Sequence, residues 1–262
     1  MNAHPAPIPR NTRQRRKHIV EQLLQAGSVE VGELVQRHGV SAVTIRSDLN
    51  HLVTQGLAVR SHGGASLLRS PPPELAIHEK DSLNLSLKDA IGVRAAQLVK
   101  PGDNIILDSG STTLMLACQL RERRDITVMT NGLNIAWELA KASGLTLRLT
   151  GGVLHPGSLS LRGHQAEASL QSFSFDTLFL GVDGLDLQFG ATTHHEAEAS
   201  LNHRMVERAQ RIVVLTDSSK FGKVSLHRIA RLDAIHTIIT DAGISAEYHD
   251  GLQRLGIEVL LA

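Results

Sequence analysis

The sequence predicts an α/β chain in two domains: a small winged helix-turn-helix domain over residues 13–68 and a larger doubly wound α/β domain over residues 86–262, with a linker at 69–85. Three observations predict it. Charge divides unevenly, with nine Lys and Arg against four Asp and Glu in residues 1–69 and 18 against 22 in the rest, although the whole chain carries only +1. "RSPPPELAIHEKDS" (69–82) places three consecutive prolines between the halves, which exclude regular helix or sheet and stiffen the connection. Across it the pattern changes from short helices to apolar runs of Val, Ile and Leu alternating with helical stretches.

In the first domain, "RQRRKHIVEQLLQA" (13–26) sets Ile19, Val20, Leu23 and Leu24 on one helical face, and Gly27 ends it. "VGELVQRH" buries Leu34 and Val35 and stops at Gly39, which allows a sharp turn. Ser41 then caps a helix whose buried stripe is Ile45, Leu49, Leu52 and Val53. Helix, Gly-containing turn and helix is the arrangement that lays its second helix in the major groove of DNA. Off the stripe near that helix's start lie Ala42, Thr44, Arg46 and Ser47, where base edges and phosphates are met; Arg46 suits guanine or phosphate, and Ala42 a thymine methyl. Arg15, Arg16 and Lys17 are candidate phosphate contacts. After Gly56, "LAVRSHGGAS" alternates and then reaches Gly63-Gly64, a hairpin wing offering Arg60 and His62. The alternative is a small helical bundle whose Arg and Ser residues are merely solvated.

In the second domain Ser86, with Asp89 three residues on, is the expected cap of the first helix. Strands are expected at 104–108, 126–130, 145–150, 176–182, 211–217, 235–240 and 257–262, apolar enough to imply a sheet covered on both faces. Such sheets bind ligands beyond their C-terminal strand ends. There the chain places Asp108, Ser109, Gly110, Ser111, Thr112 and Thr113, then Asn131-Gly132, Gly151-Gly152, Asp183 and Lys220. "SGSTT" joins a glycine for close approach, several hydroxyls and a helix start that favours an anion, and Lys220 adds a positive charge, which together suit a sugar phosphate. Taken singly these residues are also ordinary caps and turns. "THHEAE" (193–198) lacks His-Glu-x-x-His spacing, so no metal or other cofactor is expected.

"GVSAVTIRSDLNHLVTQGLAVRSHGGA" resembles the N-terminal signature of the DeoR family of bacterial transcriptional regulators, matched at Val40, Ser41, Thr44, Ile45, Arg46, Asp48, Leu49, Gly56, Arg60, His62, Gly63, Gly64 and Ala65. Ser47 stands where the family often has a second Arg. "KPGDNIILDSGSTTLMLA", "VMTNGLNIA", "LTGG", "FDTLFLGVDGLD" and "TDSSKFG" are similar to the family's effector domain, which resembles the ribose-phosphate isomerase and sugar-phosphate deaminase fold. The resemblance implies operator DNA as partner and a phosphorylated sugar that releases it, held by Ser109, Gly110, Ser111, Thr112, Thr113, Asn131, Gly132, Asp183 and Lys220.

Aldose-ketose isomerisation needs a carboxylate base and a cation to stabilise the enediolate. Where the isomerases carry Asp-Gly-Ala-Asp-Glu, this chain has "LGVDG" at 180–184, and "QFGATTHHEAEA" has no Lys, so sensing without catalysis is expected. An active isomerase or deaminase with a nucleic-acid tether is the alternative, as is an activator in place of a repressor. One cysteine, Cys118, no signal-peptide pattern and no membrane-length apolar run imply a cytoplasmic protein without a membrane partner. A single helix-turn-helix reads only a half-site, so a homo-oligomer, dimer or tetramer, is expected.

Overall fold

A computed structural model describes residues 11–54, 58–61, 63–67 and 77–262, and the chain falls into two compact units, Met1–Pro73 and Glu74–Ala262. The first contains α1 (Thr12–Ala26), β1 (Ser28–Glu30), α2 (Val31–His38), α3 (Ala42–Thr54), β2 (Ala58–Ser61) and β3 (Gly64–Leu67). Ile19, Leu23, Leu34, Ile45, Leu49 and Leu52 form its buried centre, while Val35 and Val53 are only half-buried. Gly39 takes φ +62° and closes α2 by donating its N–H to the Val35 carbonyl at 2.9 Å. Strand β1 was not foreseen; it pairs with β3, making the wing three-stranded in the order β1-β3-β2. A Cβ on Gly64 would lie 2.0 Å from the Val29 carbonyl oxygen, so only glycine lets these strands approach.

Helix α1 is joined to α3 by charge. Arg15 Nε donates to Asp48 Oδ2 at 2.6 Å and Arg16 Nε to Oδ1 at 2.8 Å, so both carboxylate oxygens are used. Arg15 is 3% exposed and Asp48 1%. This corrects the expectation that Arg15 contacts DNA phosphates: its guanidinium is buried and committed within the unit. The signal was present, because Arg15, Ile19 and Leu23 share one helical face at i, i+4 and i+8. Arg16 is half-buried on the same carboxylate, whereas Lys17 is exposed, 3.9 Å from Glu21.

The second unit opens with α4 (Ile77–Ser82) and α5 (Leu85–Ala96), then β4 (Asn104–Leu107), α6 (Ser111–Leu120), β5 (Thr127–Thr130), α7 (Leu133–Leu139) and β6 (Thr146–Leu149). A hairpin, β7 (Val153–His155) and β8 (Ser160–Arg162), leads to α8 (His164–Ser169) and β9 (Phe175–Gly181). There follow β10 (Gly184–Asp186), β11 (Gly190–Thr193), α9 (Glu196–Arg208), β12 (Ala209–Leu215), β13 (His227–Ala230), β14 (Thr237–Thr240), α10 (Ala246–Arg254) and β15 (Glu258–Leu261).

Seven of these strands form a sheet in the order β15-β14-β12-β9-β4-β5-β6, with every neighbouring pair parallel. Alternation along the strands supplies two cores: Ile105 and Leu107 join Ile91, Leu116 and Leu139 on one face, and Ile106 joins Leu170, Leu201 and Leu252 on the other. The chain runs from β4 outward to β6, returns to β9 beside β4, and then builds outward in the opposite direction. The reversal opens a crevice between the C-terminal ends of β4 and β9.

Two expectations change here. Residues 77–82, read as linker, form α4, with Ile77 buried and its N–H on the Gly157 carbonyl at 2.8 Å. Helix α5 starts at Leu85 after Asn84 at φ +53°, and Ser86 lies exposed within its first turn without capping it. Among the described residues no helix is long and apolar enough to cross a membrane.

Replacing Asp48 by Ala leaves Arg15 buried without its counter-charge, and unfolding of the N-terminal unit in urea is expected to weaken by about 3–5 kcal/mol. A loss under about 1 kcal/mol would show that the pair behaves like an exposed one.

Candidate functional site

In the first unit, Ser41 caps α3 by accepting the Thr44 N–H at 3.2 Å, and its hydroxyl lies 2.9 Å from the Thr44 hydroxyl. Arg46, Ser47 and Ser41 are exposed, and Ala42 and Thr44 are partly so. Val43, which the sequence reading passed over, is 73% exposed on the same helix. Its position two residues before the buried Ile45, about 200° around the helix, was the available signal. An exposed branched side chain there can meet a thymine methyl. On the wing, Arg60 is exposed and reaches the Gly64 carbonyl at 3.4 Å, while His62 lies outside the described residues.

In the second unit the crevice is built from loops after β4, β5, β9 and β12 and from α4. Asp108 ends β4, is 3% exposed, and accepts the Thr113 hydroxyl at 2.7 Å and the Gly110 N–H at 3.2 Å. Thr113 is fully buried and supports Asp108 from below. Burial pushes the Asp108 carboxyl up; hydrogen bonds from Thr113, Gly181 and Gly110 oppose the rise and the Asp183 charge adds to it. A Cβ on Gly181 would sit 3.2 Å from Asp108 Oδ2, and one on Gly132 would sit 3.0 Å from Ser109 Cα. The loops of β4, β5 and β9 therefore converge at backbone distance. Ser109, Ser111 and Thr112 are each at most 8% exposed, and no side chain caps α6, whose N-terminus carries the partial positive charge of a helix start.

Asp183 accepts Lys80 Nζ at 2.9 Å and the Thr193 hydroxyl at 2.9 Å. Burial works to raise its carboxyl, but Lys80, His194 and Lys220 outweigh that and hold it down at about 2. Lys220 closes the 3-10 turn Ser218–Lys220 after β12. Burial lowers its ammonium pKa, Asp183 and Asp217 resist, and Lys80 and Lys223 add to the lowering. Asn131 is 1% exposed and donates to the Leu161 carbonyl at 3.3 Å, leaving its Oδ1 without a partner among the described residues. The structure thus brings together Asp108 to Thr113, Asn131, Gly132, Asp183 and Lys220. Gly151 and Gly152 stand apart in role: both have positive φ, and a Cβ on Gly152 would meet the Arg162 carbonyl oxygen at 2.7 Å, so the turn itself requires glycine. Sequence reasoning missed Lys80, hidden in the segment taken as linker, and Thr193 and His194, weighed only as part of a metal motif.

A groove-reading helix with a wing, followed by a parallel α/β domain with a charged crevice at its reversal, defines a DNA-binding regulator with its own sensor domain. The chain belongs to the DeoR family: residues 15–70 match the DeoR-like helix-turn-helix domain and residues 83–242 the DeoR C terminal sensor domain. A protein of Escherichia coli O157:H7, provisionally named aga operon transcriptional repressor, is 48% identical over 252 residues, 95% of this chain and 94% of that protein. The HTH-type transcriptional regulator GlpR of Haloferax volcanii is 35% identical over 247 residues, 94% of this chain and 96% of its own. Among solved structures, ribose 5-phosphate isomerase A of Methanocaldococcus jannaschii aligns with TM-score 0.41 and 19% identity over 53% of this chain and 55% of that one.

Lys80 can be tested by its effect on Asp183. In Lys80→Met the Asp183 carboxyl, now at about 2, is expected to rise because burial then meets only the charges of His194 and Lys220 and the Thr193 hydrogen bond. A carbon-detected NMR titration that finds no movement would remove Lys80 from the pair.

Proposed function

We propose that this protein is a transcriptional repressor of amino-sugar utilisation genes, released from operator DNA when a phosphorylated sugar enters the crevice of its sensor domain. The observation that carries this is the convergence of an uncapped α6 N-terminus, the partly buried Lys220, the buried acceptors Asp108 and Asn131 and the half-buried Asp183 on one reversal point. Helix N-terminus and ammonium suit a phosphate, and carboxylates and amide suit sugar hydroxyls or an amine. A galactosamine 6-phosphate derivative fits that chemistry, and the name of the Escherichia coli relative supports the choice. The crevice is read as non-catalytic because, of the three carboxylates in the isomerases' Asp-Gly-Ala-Asp-Glu, only the second is kept, as Asp183, with Leu180 and Gly184 at the first and last.

Asp183 supplies a route from occupancy to response. Helix α4 precedes the sensor strands in the chain and is held to Asp183 through Lys80. A ligand that engages Asp183 contends with Lys80, so filling the crevice disturbs α4. Coupling of this kind is reciprocal, with the ligand and the operator weakening one another by roughly 1–3 kcal/mol. The working species is a cytoplasmic homodimer or larger assembly on paired half-sites.

Arg46→Ala is expected to abolish retardation of operator DNA in a mobility-shift assay while calorimetric binding of galactosamine 6-phosphate and thermal stability stay at wild-type values. Loss of all three would make Arg46 a folding residue. Lys220→Ala is expected to bind the same operator yet remain bound when the sugar phosphate is added, and normal release would take Lys220 out of the site. Turnover of hexosamine phosphates by the purified protein would overturn the non-catalytic reading.

A further inference from the structure

Among the described residues two arginines are buried, and they live differently. Arg15 is saturated by Asp48. Arg162, at the end of β8 and 8% exposed, has one side-chain hydrogen bond, to Ser158 Oγ at 3.4 Å, and no carboxylate within ion-pair distance among the described residues. A guanidinium carries five donors and stays charged at every accessible pH, so such a group is costly to bury without an anion. The segment around it, "GGVLHPGSLSLRG" (151–163), contains no acidic residue. Its partner Ser158 belongs to a small polar network: Ser158 Oγ lies 2.7 Å from Ser160 Oγ and 3.1 Å from His155 Nδ1, and the His155 ring stands 5.2 Å from the His195 ring.

The hairpin bearing Arg162 is seated on the crevice at three places. Leu161 N–H donates to the Asn131 carbonyl at 2.7 Å, and Leu133 N–H to the Leu159 carbonyl at 2.8 Å, which fixes β8 over the loop after β5. Gly157, in its turn, accepts the Ile77 N–H at the start of the helix that carries Lys80. His195 follows His194, whose charge acts on Asp183. Lys220 follows β12, on one side of the reversal, and Arg162 ends the hairpin bonded to the loop after β5, on the other.

We propose that Arg162 is a second anion-recognising residue, and that the molecule taken by this crevice carries two acidic groups: a phosphate for the α6 end and Lys220, and a second phosphate or a carboxylate for Arg162. Ser158, already bonded to Arg162, and Ser160 bring hydroxyls to that second group. The inference rests on the sugar-phosphate reading of the crevice and narrows it, from a galactosamine 6-phosphate derivative with its single phosphate to a phosphorylated sugar that carries a second phosphate or a carboxylate.

Calorimetry on the full chain tests it with three probes: a hexose 6-phosphate, a ketohexose 1,6-bisphosphate and a 6-phosphoaldonate. At least one doubly acidic probe is expected to bind about tenfold or more tighter than the hexose 6-phosphate, and which one does so separates phosphate from carboxylate. Arg162→Gln is expected to erase that advantage while leaving hexose 6-phosphate affinity unchanged and the melting temperature of the free protein equal or higher, since an unneutralised buried charge has been removed. Equal affinity for all three probes overturns the inference, as does a variant that weakens all probes alike or melts lower. If hexose 6-phosphate binds in a Lys220-dependent manner without gain from a second acid, only this inference falls. If no probe binds, the reading of the crevice falls with it.

Discussion

Two carboxylates, one buried and one half-buried, feel each other's charge because one parallel sheet reverses direction between β4 and β9, and much of the sensor domain's polar architecture answers to that. Asp108 directly follows β4 and Asp183 lies two residues beyond β9, so their positions follow from topology. Like charges in a low-dielectric crevice cannot both persist unaided. The protein treats them unequally: Asp108 receives hydrogen bonds from Thr113 and backbone N–H groups but no cation, and its carboxyl is pushed up. Asp183 receives Lys80 with the charges of His194 and Lys220 behind it, and stays ionised. One site therefore holds an acceptor of fixed charge beside a group closer to gaining a proton, an asymmetry suited to gripping a hydroxylated molecule from two sides.

Much of this was legible in the chain. All seven strands of the parallel sheet could be placed because each is a short apolar run, six of them ending on or leading straight into a polar or glycine residue, and the loops after the strands named most of the crevice. What escaped reading depends on tertiary pairing. Lys80 lies in a segment dominated by its prolines, and nothing local reveals that its partner is Asp183, more than a hundred residues away. Strand β1 is three residues long and has no alternating pattern to display; only the missing Cβ of Gly64 records its presence. Arg162 looked like any strand-end arginine until burial set it apart.

The N-terminal unit applies the same logic with another outcome. Its family signature includes Arg46 and Asp48, two residues apart on one helix, and their side chains go in opposite directions. Arg46 is exposed, whereas Asp48 turns inward to hold both Arg15 and Arg16. A basic cluster read as a phosphate-binding arm is thus partly a brace that fixes α1 against the recognition helix. Lys17 and Arg46 remain outside that brace, so fewer cations are free to release counterions than the net charge of residues 1–69 suggests.

That economy bears on how a small ligand can control a large polyanion partner. A hundredfold change in operator affinity corresponds to about 2.7 kcal/mol of differential binding, a quantity on the scale of one well-made charged contact rather than of a whole interface. The Lys80–Asp183 pair is such a contact, mostly shielded from solvent, with Lys80 on the helix that opens the sensor unit. A ligand that filled the crevice without touching Asp183 would bind both states equally and change nothing, however tight its hold. In the proposed mechanism, contending for Asp183 is what would turn occupancy into a difference between states. For that reason, groups that merely anchor the ligand, the α6 end and Lys220, are expected to set its affinity, while the carboxylate at the reversal sets the response.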